Sequence, residues 1–310
     1  MMSANPPAKH HYIPRFQLAQ WAVANGKLWR FLQPRPGKIV SKLVAPAEIG
    51  YEKDLYITAG LPPDRAQQFE QHFMSRLDDQ AAEAHQLILA GKLRTLTRKQ
   101  RSAWSRFIMS QWFRTPQGLG YFKQAMAHIL AAPDESIHAR YREIRKEGYP
   151  ERFEELVAMM NPDFADQASL DVLRKMIDDP KNGLRLNNMP CLVIETKESH
   201  EFLISDAALQ QGSAGIFADQ GFMTLPIAPR KLFVAATNAD VVRSIKGLPS
   251  RDLIARHNRA VVRHASIFVG ATDLSQDAFI TANFGADEQQ TLVKGLADKY
   301  RGAAGAGASH

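Results

Sequence analysis

Lys9-His10-His11-Tyr12-Ile13-Pro14-Arg15-Phe16 is the stretch around which we expect the rest of the chain to fold. Two adjacent histidines, a proline and an arginine occur here close together. Pro14 suits the first turn of a helix, because the N–H that proline lacks would have no partner there. We therefore predict a short helix that begins near Pro14 and directly follows the two imidazoles.

The composition of the chain is typical of a globular protein, with ordinary apolar content and many charged residues. The formal net charge of +7 permits attraction to phosphate-rich partners, so nucleic acid or nucleotide is the partner class that we consider. No apolar run approaches the roughly 20 residues needed to cross a bilayer, which predicts no membrane span. A single cysteine, Cys191, excludes an internal disulfide and, with no apolar signal segment at the N-terminus, favours a cytoplasmic location. The oligomeric state stays open.

Short apolar segments near both ends of the sequence predict strands. Asn25-Gly26 and the residues of 34–37 are turn signals that flank alternating segments, which predicts a hairpin over 27–44. A brief strand is expected within 48–57. Later segments predict four further strands, over 189–195, 201–206, 222–227 and 231–236, the first two joined by a polar turn.

The middle of the chain has a helical period. From 64 to 178, apolar residues recur every three or four positions, and Thr97 and Thr115 are plausible N-caps. Helices are also predicted over 250–270 and 287–300. The pattern predicts an α+β protein in which one mostly antiparallel sheet joins the hairpin to the strands of 189–236, with a central helical layer and C-terminal helices.

A single domain is predicted for this arrangement. It would span residues 9–300, with the helices of 64–178 inserted into it as a layer or subdomain. A disordered leader over 1–8 and a flexible Gly/Ala/Ser tail over 301–310 would flank the domain, because neither segment has enough apolar side chains to fold.

Several motifs resemble those of an uncharacterised family, domain of unknown function 4238 (DUF4238). Its opening Lys-His-His-Tyr-(Val/Ile)-Pro signature is similar to Lys9–Pro14, and its Arg-Thr-Pro is similar to 114–116. Phe202–Asp206 resembles its Phe-(Ile/Leu)-x-Ser-Asp strand end, and Arg256–His264 resembles its Asn-containing helix. The likeness covers most of residues 9–270 and implies a set of motif positions without a known activity.

The chain departs from the family pattern at three positions. Ala207 and Ala208 stand where the family usually has Asn-Pro, and Ala228 stands where it has a serine. Any function of those family side chains is therefore missing from this protein.

His10 and His11 are the strongest candidates for catalysis. Adjacent side chains of an extended segment point to opposite sides, so only one imidazole can face a given pocket. That imidazole would be a general base or a metal ligand. The alternative is that both histidines brace the N-terminal segment through hydrogen bonds.

Arg114 and Asp206 complete the candidate catalytic set. Arg114 lies at a predicted junction of two helices, where it would clamp a phosphate or carboxylate, or else cap helix carbonyls. Asp206 ends a predicted strand, where it would orient a histidine or bind a cation, or else start a turn. Arg15, Gln111, Tyr51 and Ser205 are the candidate substrate-binding residues, of which Gln111 shares a helical face with Arg114. A divalent metal is considered as cofactor, with His11, Glu52 and Asp206 as candidate ligands.

Two hypotheses of function follow. The first is a hydrolase of a phosphodiester or another anionic substrate, in which a histidine acts as base and Arg114 stabilises developing charge. The second is a non-catalytic binding module for a nucleotide, a nucleic acid or a protein partner. Catalysis requires His10 or His11 close to Asp206 or Arg114 around an open cavity, whereas a closed, water-free cluster would favour a purely structural role of these side chains.

Overall fold

A computed structural model describes residues 9–23, 25–212, 215–288, 291 and 293–298. The predicted α+β class is confirmed, because helices fill the middle of the chain and antiparallel strands lie on both sides of it. The predicted leader at 1–8 and tail at 301–310 lie outside the described residues. The single domain over 9–300 stays a prediction.

The helices follow the predicted layer closely and add segments beyond it. Their bounds are α1 (Arg15–Leu18), α2 (Pro63–Ala66), α3 (Ser75–Leu89), α4 (Arg98–Gln111), α5 (Pro116–Ala131), α6 (Glu135–Ile144), α7 (Phe153–Met159), α8 (Phe164–Ile177), α9 (Pro180–Asn188), α10 (Ala239–Lys246), α11 (Ser250–Arg263) and α12 (Asp277–Asn283). A π-helical turn, Phe69–Met74, leads directly into α3. Residues 293–298 are also helical, within the predicted helix at 287–300.

Both predicted N-caps are present, and they fix the junction between α4 and α5. The Thr97 hydroxyl accepts a hydrogen bond from the backbone N–H of Gln100, whose side chain accepts one from the N–H of Thr97. Thr115 caps α5 in the same way through the N–H of Gly118, with Pro116 as the first helical residue. Such caps satisfy N–H groups that have no partner within the helix. The turn between these two helices contains Arg114.

The strands form three antiparallel sheets within the described residues. Their bounds are β1 (Lys9–His11), β2 (Leu28–Arg35), β3 (Lys38–Val44), β4 (Tyr51–Lys53), β5 (Cys191–Glu195), β6 (Ile204–Ser205), β7 (Gln210–Gln211), β8 (Phe222–Ala228), β9 (Lys231–Ala236) and β10 (Val269–Ala271). β1 pairs with β4, and the other two sheets have the orders β3-β2-β10-β6 and β5-β9-β8-β7. The predicted hairpin is β2–β3.

The expected single sheet is divided in two. The hairpin shares its sheet with β6, whereas β5, β8 and β9 form a separate sheet, so the prediction holds only for Ile204–Ser205. The segments 189–195 and 201–206 are not a hairpin, because β5 pairs with β9 and the N–H of Phe202 donates to Pro229 O at 2.7 Å.

The predicted helix over 250–270 is too long at its C-terminal end. α11 ends at Arg263, and β10 follows it and inserts between β2 and β6. The cause is the Asp206 carboxylate, which accepts hydrogen bonds from the backbone N–H groups of Ile267 and Phe268 at 3.0 Å each. Those N–H groups are therefore not available to continue the helix.

The N-terminal stretch is part of the main core. Tyr12 and Ile13 are buried against residues of β2, α3 and α4, and Trp21 is buried with its indole N–H donating to Phe202 O at 2.8 Å. Because these aromatic and aliphatic side chains fill the space between helices and sheets, β1 is held in place against the helical layer. None of the helices in the described part of the chain is both long and apolar enough to span a membrane.

Candidate functional site

His10 is fully buried and is fixed by two hydrogen bonds. Its Nδ1 accepts a bond from the backbone N–H of Tyr56 at 3.0 Å, and its Nε2 lies 2.7 Å from Oε1 of Gln67. Because Nδ1 accepts, Nε2 carries the proton and donates to Gln67. The imidazole also stacks on the Tyr56 ring, at 5.7 Å between centroids. Both ring nitrogens are therefore used to attach β1, one to Tyr56 before α2 and the other to Gln67 directly after it.

His11 lies beside Arg114, and the contact is made by the His11 backbone. The Nη2 of Arg114 donates to the carbonyl oxygen of His11 at 3.2 Å. The His11 side chain is partly buried, and its Nε2 has no hydrogen-bond partner among the described residues. Burial, aided by the charges of Arg15 and Arg114, lowers the pKa of His11 to about 4. The imidazole is therefore neutral at physiological pH.

Arg114 is the most deeply buried charge of this region, with 1% of its side chain exposed. Its Nη1 and Nη2 donate to the two carboxylate oxygens of Asp78 on α3, at 2.9 and 2.8 Å. Burial acts to lower the pKa of Arg114, but the Asp78 carboxylate outweighs it and holds the pKa above its usual range. The backbone carbonyl of Arg114 accepts the Tyr56 hydroxyl at 2.7 Å. Bidentate pairing of this kind fixes the geometry of a guanidinium and leaves few of its donors for a ligand.

Glu70 adds a second carboxyl group near Arg114. It lies in the π-helical turn, and burial raises its pKa to about 7, with the Asp78 charge acting in the same direction and Arg114 opposing it. Oε1 of Glu70 is 3.5 Å from the Ser75 hydroxyl, and its Oε2 has no partner in the described part of the chain. Irregular helical turns occur often at functional sites.

His11, Tyr56, Glu70, Asp78 and Arg114 form what we call the Arg114 cluster. Sequence reasoning missed Glu70 and Asp78. A buried arginine requires an acidic partner on a facing helix. Yet α3 carries Asp78, Asp79 and Glu83, and no signal in the sequence selects the one that faces Arg114.

Asp206 lies apart from this cluster and has a structural role. Its carboxylate accepts four hydrogen bonds, from the N–H and hydroxyl of Ser266 and the N–H groups of Ile267 and Phe268. Ser205 is fully buried, with its hydroxyl donating to Val261 O and accepting from the N–H of Ala207, each at 3.0 Å. Asp206 therefore holds the end of β6 to the segment between α11 and β10, and Ser205 holds β6 to α11 itself.

The remaining candidate residues are dispersed. Arg15 is exposed, and Tyr51 pairs with His11 across β1 and β4, with Nζ of Lys9 4.4 Å from the centre of its ring. Glu52 is exposed opposite His10. The described residues contain no group of three or more His, Cys, Asp or Glu side chains that could hold a metal ion, so His11, Glu52 and Asp206 do not assemble as ligands.

Gln111 and Asp206 share one small cleft at the start of α5. The cleft, of about 40 Å³, is also lined by Thr115, Tyr121 and His264. Nε2 of Gln111 has no partner among the described residues. The volume suits one or a few water molecules, so the cleft is too small for the anionic substrates considered above.

A larger groove lies on the other side of the π-helical turn, between this turn and α8. Its volume is about 500 Å³. Phe69, Phe73 and Leu170 contribute apolar surface, and Arg65, His72 and Arg174 contribute basic side chains. We call it the π-turn groove. The Arg114 cluster contacts its floor, because the Tyr56 ring lies 5.7 Å from that of Phe69 between centroids.

Comparison with known proteins identifies a family of unknown function. A family model described as "Protein of unknown function (DUF4238)" matches residues 9–273. No match was found among curated proteins or among solved structures.

Proposed function

We propose that this chain, which belongs to the DUF4238 family, is a binding module for an anionic ligand of the nucleotide or nucleic-acid class. In this proposal the polar side chains of its motifs carry out no chemistry. The supporting observation is that these side chains bind one another and the backbone. Both nitrogens of His10, both terminal nitrogens of Arg114 and both carboxylate oxygens of Asp206 have protein partners.

The Arg114 cluster would then serve to hold the binding surface in shape. Its Tyr56 ring lies between His10 and Phe69, and Phe69 in turn packs against Phe73 at 5.3 Å. The hydrogen bonds that join Arg114 to Asp78 and Tyr56 fix the arrangement of the elements that they connect. A preformed surface loses less entropy when it binds a ligand. The net positive charge of the chain is consistent with an anionic ligand.

The proposal is tested by measuring binding and turnover on the same purified protein. Isothermal titration with ATP and with a short single-stranded oligonucleotide should detect binding of at least one of them, weakened by added salt. Chromatography of the same mixtures after long incubation should recover the ligand unchanged. Product formation above a buffer blank would contradict the absence of catalysis. Failure to bind both ATP and the oligonucleotide would contradict the binding function.

A second candidate function, the hydrolase, is favoured by one observation in the Arg114 cluster. Glu70 has a pKa of about 7 and an unpartnered Oε2 among the described residues, and Nε2 of His11 is likewise unpartnered there. A carboxyl group that titrates near neutral pH suits general acid–base catalysis. If the protein cleaves a phosphodiester, Glu70→Gln should abolish turnover, and full activity in that variant would exclude Glu70 as the acid–base group.

The cytoplasmic location also stays a proposal, supported by the single cysteine.

A further inference from the structure

We infer that the π-turn groove binds a nucleoside phosphate, with the phosphate at its arginines and the base on its apolar floor. The inference rests on the proposed binding function and specifies its site and ligand. The groove adjoins the Arg114 cluster through Phe69, and basic side chains line it.

The size of the groove favours a single nucleotide over a polymer. Its volume of about 500 Å³ is within the range of roughly 300–1,000 Å³ that is usual for small-molecule sites. Proteins that bind nucleic acid strongly make on the order of 6–10 phosphate contacts. Arg65, His72 and Arg174 are too few for that, and they suit the phosphates of one nucleotide.

The charges of the groove are available to an anion. Arg174 is half exposed, and its contact with Asp171 is long, at 3.7 Å, with both side chains in solvent. An exposed pair of this kind contributes little, so a phosphate would compete for the guanidinium with small loss. Arginine also binds phosphate through two parallel N–H groups, which gives it an advantage over a lone carboxylate contact.

The apolar part of the groove supplies a surface for the base. Phe69, Phe73, Leu61 and Leu170 line it together with the side-chain amides of Gln68 and Gln167. Apolar walls with a few convergent polar groups are typical of sites for flat heterocycles. Tyr56 packs against Phe69 of this aromatic pair. The basic side chains of the groove, in contrast, are exposed.

The test compares three ligands on the full-length chain. ATP, adenosine and inorganic triphosphate are titrated by calorimetry into the wild type, Arg65→Ala and Arg174→Ala. Each substitution should weaken ATP binding about tenfold, because each removes a charge-assisted hydrogen-bond donor. Both variants should bind adenosine like the wild type. Leu61→Gln should instead weaken ATP and adenosine by the same factor and leave triphosphate unaffected.

Arg259→Ala is the matched control, because Arg259 is an exposed arginine of α11 outside the groove. It should bind ATP like the wild type. If the wild type binds ATP and the groove variants bind it equally well, the site is wrong while the binding function stands. If the wild type binds no ATP but binds the oligonucleotide, the inferred ligand is wrong and the proposed function stands. If the wild type binds neither ATP nor the oligonucleotide, both the inferred nucleotide site and the proposed binding function are wrong.

Discussion

The π-helical turn separates two regions that use arginine in opposite ways. On one side, Arg114 is buried and makes two short contacts with Asp78. On the other side, Arg174 is 52% exposed and has one long contact with Asp171. A buried charge is tolerated only with a close partner, whereas an exposed charge is free to change partners. The comparison indicates that the motif arginine maintains the fold, and that the groove arginine is suited to a ligand.

Removal of the Arg114 side chain should have the largest effect on stability. Arg114→Ala leaves the Asp78 carboxylate without its cation, which costs about 3–5 kcal/mol of unfolding free energy. Arg106→Ala, in the preceding helix α4, is the control, because Arg106 pairs with Asp178 near the surface, and it should cost about 1 kcal/mol or less. Urea unfolding followed by circular dichroism measures both. Equal losses would remove the contrast between buried and exposed arginines.

The structural role of Asp206 predicts the next largest effect. Asp206→Ala removes an acceptor of four hydrogen bonds and should cost about 2–3 kcal/mol. Asp273→Ala is the matched control, because this exposed aspartate accepts one bond, from the N–H of Ser275, and its loss should cost about 1 kcal/mol or less. Thermal unfolding of the two variants compares them. A loss for Asp206→Ala no larger than for Asp273→Ala would contradict the structural role.

The raised pKa of Glu70 makes the stability of the folded protein depend on pH. Its pKa rises from 4.5 to about 7 on folding, so the folded state binds the proton more tightly than the unfolded chain. The contribution of Glu70 to stability is therefore present below pH 4.5 and is lost as pH rises through 7. Glu70→Gln keeps a neutral side chain at every pH and should be about 1–3 kcal/mol more stable than wild type at pH 8. The difference should vanish near pH 4.5.

Glu83→Gln provides the control for that experiment. Glu83 is exposed on α3, and its substitution should give the same small difference from wild type at both pH values. Urea unfolding of the wild type and both variants at pH 4.5 and pH 8 measures the six values needed. A Glu70→Gln variant that is less stable than wild type at pH 8 would show that the carboxylate is favourably paired in the folded protein.

The smallest effect on stability is expected in the groove. Arg174→Ala should change the unfolding free energy by about 0.5 kcal/mol or less, because exposed substitutions of this kind rarely do more. Differential scanning calorimetry without ligand measures it. A loss comparable to that of Arg114→Ala would mean that Arg174 is also a structural residue, and the contrast across the π-helical turn would fail.

Local patterns in the sequence were sufficient to predict the hairpin and the central helices, but not β10, which overlaps the predicted helix over 250–270. The caps at Thr97 and Thr115, the hairpin of β2 and β3, and the apolar period of the central helices each depend on neighbouring residues. The division of the strands between two sheets was not predictable in this way. β6 joins the sheet of the hairpin through β10, and the position of β10 depends on Asp206, which binds a segment 60 residues away along the chain.

The candidate site was predicted only in part, for a similar reason. Arg114 and His11 were both named as candidates from their motifs, and the guanidinium of Arg114 contacts the His11 backbone. The motifs give no partner for the guanidinium, because the choice of Asp78 depends on how α3 is rotated against α4. The π-helical turn before α3 changes that rotation, since its hydrogen bonds span five residues and not four. The period of the apolar residues alone does not specify how α3 is rotated against α4.

A double-mutant cycle between Arg114 and Asp78 tests the central claim most directly. Urea unfolding of Arg114→Met, Asp78→Leu and the combined variant gives the coupling free energy of the pair. A structural pair predicts that each single variant loses about 3–5 kcal/mol and that the combined variant is more stable than either single one. If Arg114→Met instead unfolds like the wild type, the guanidinium is not needed for the fold and is retained for a ligand.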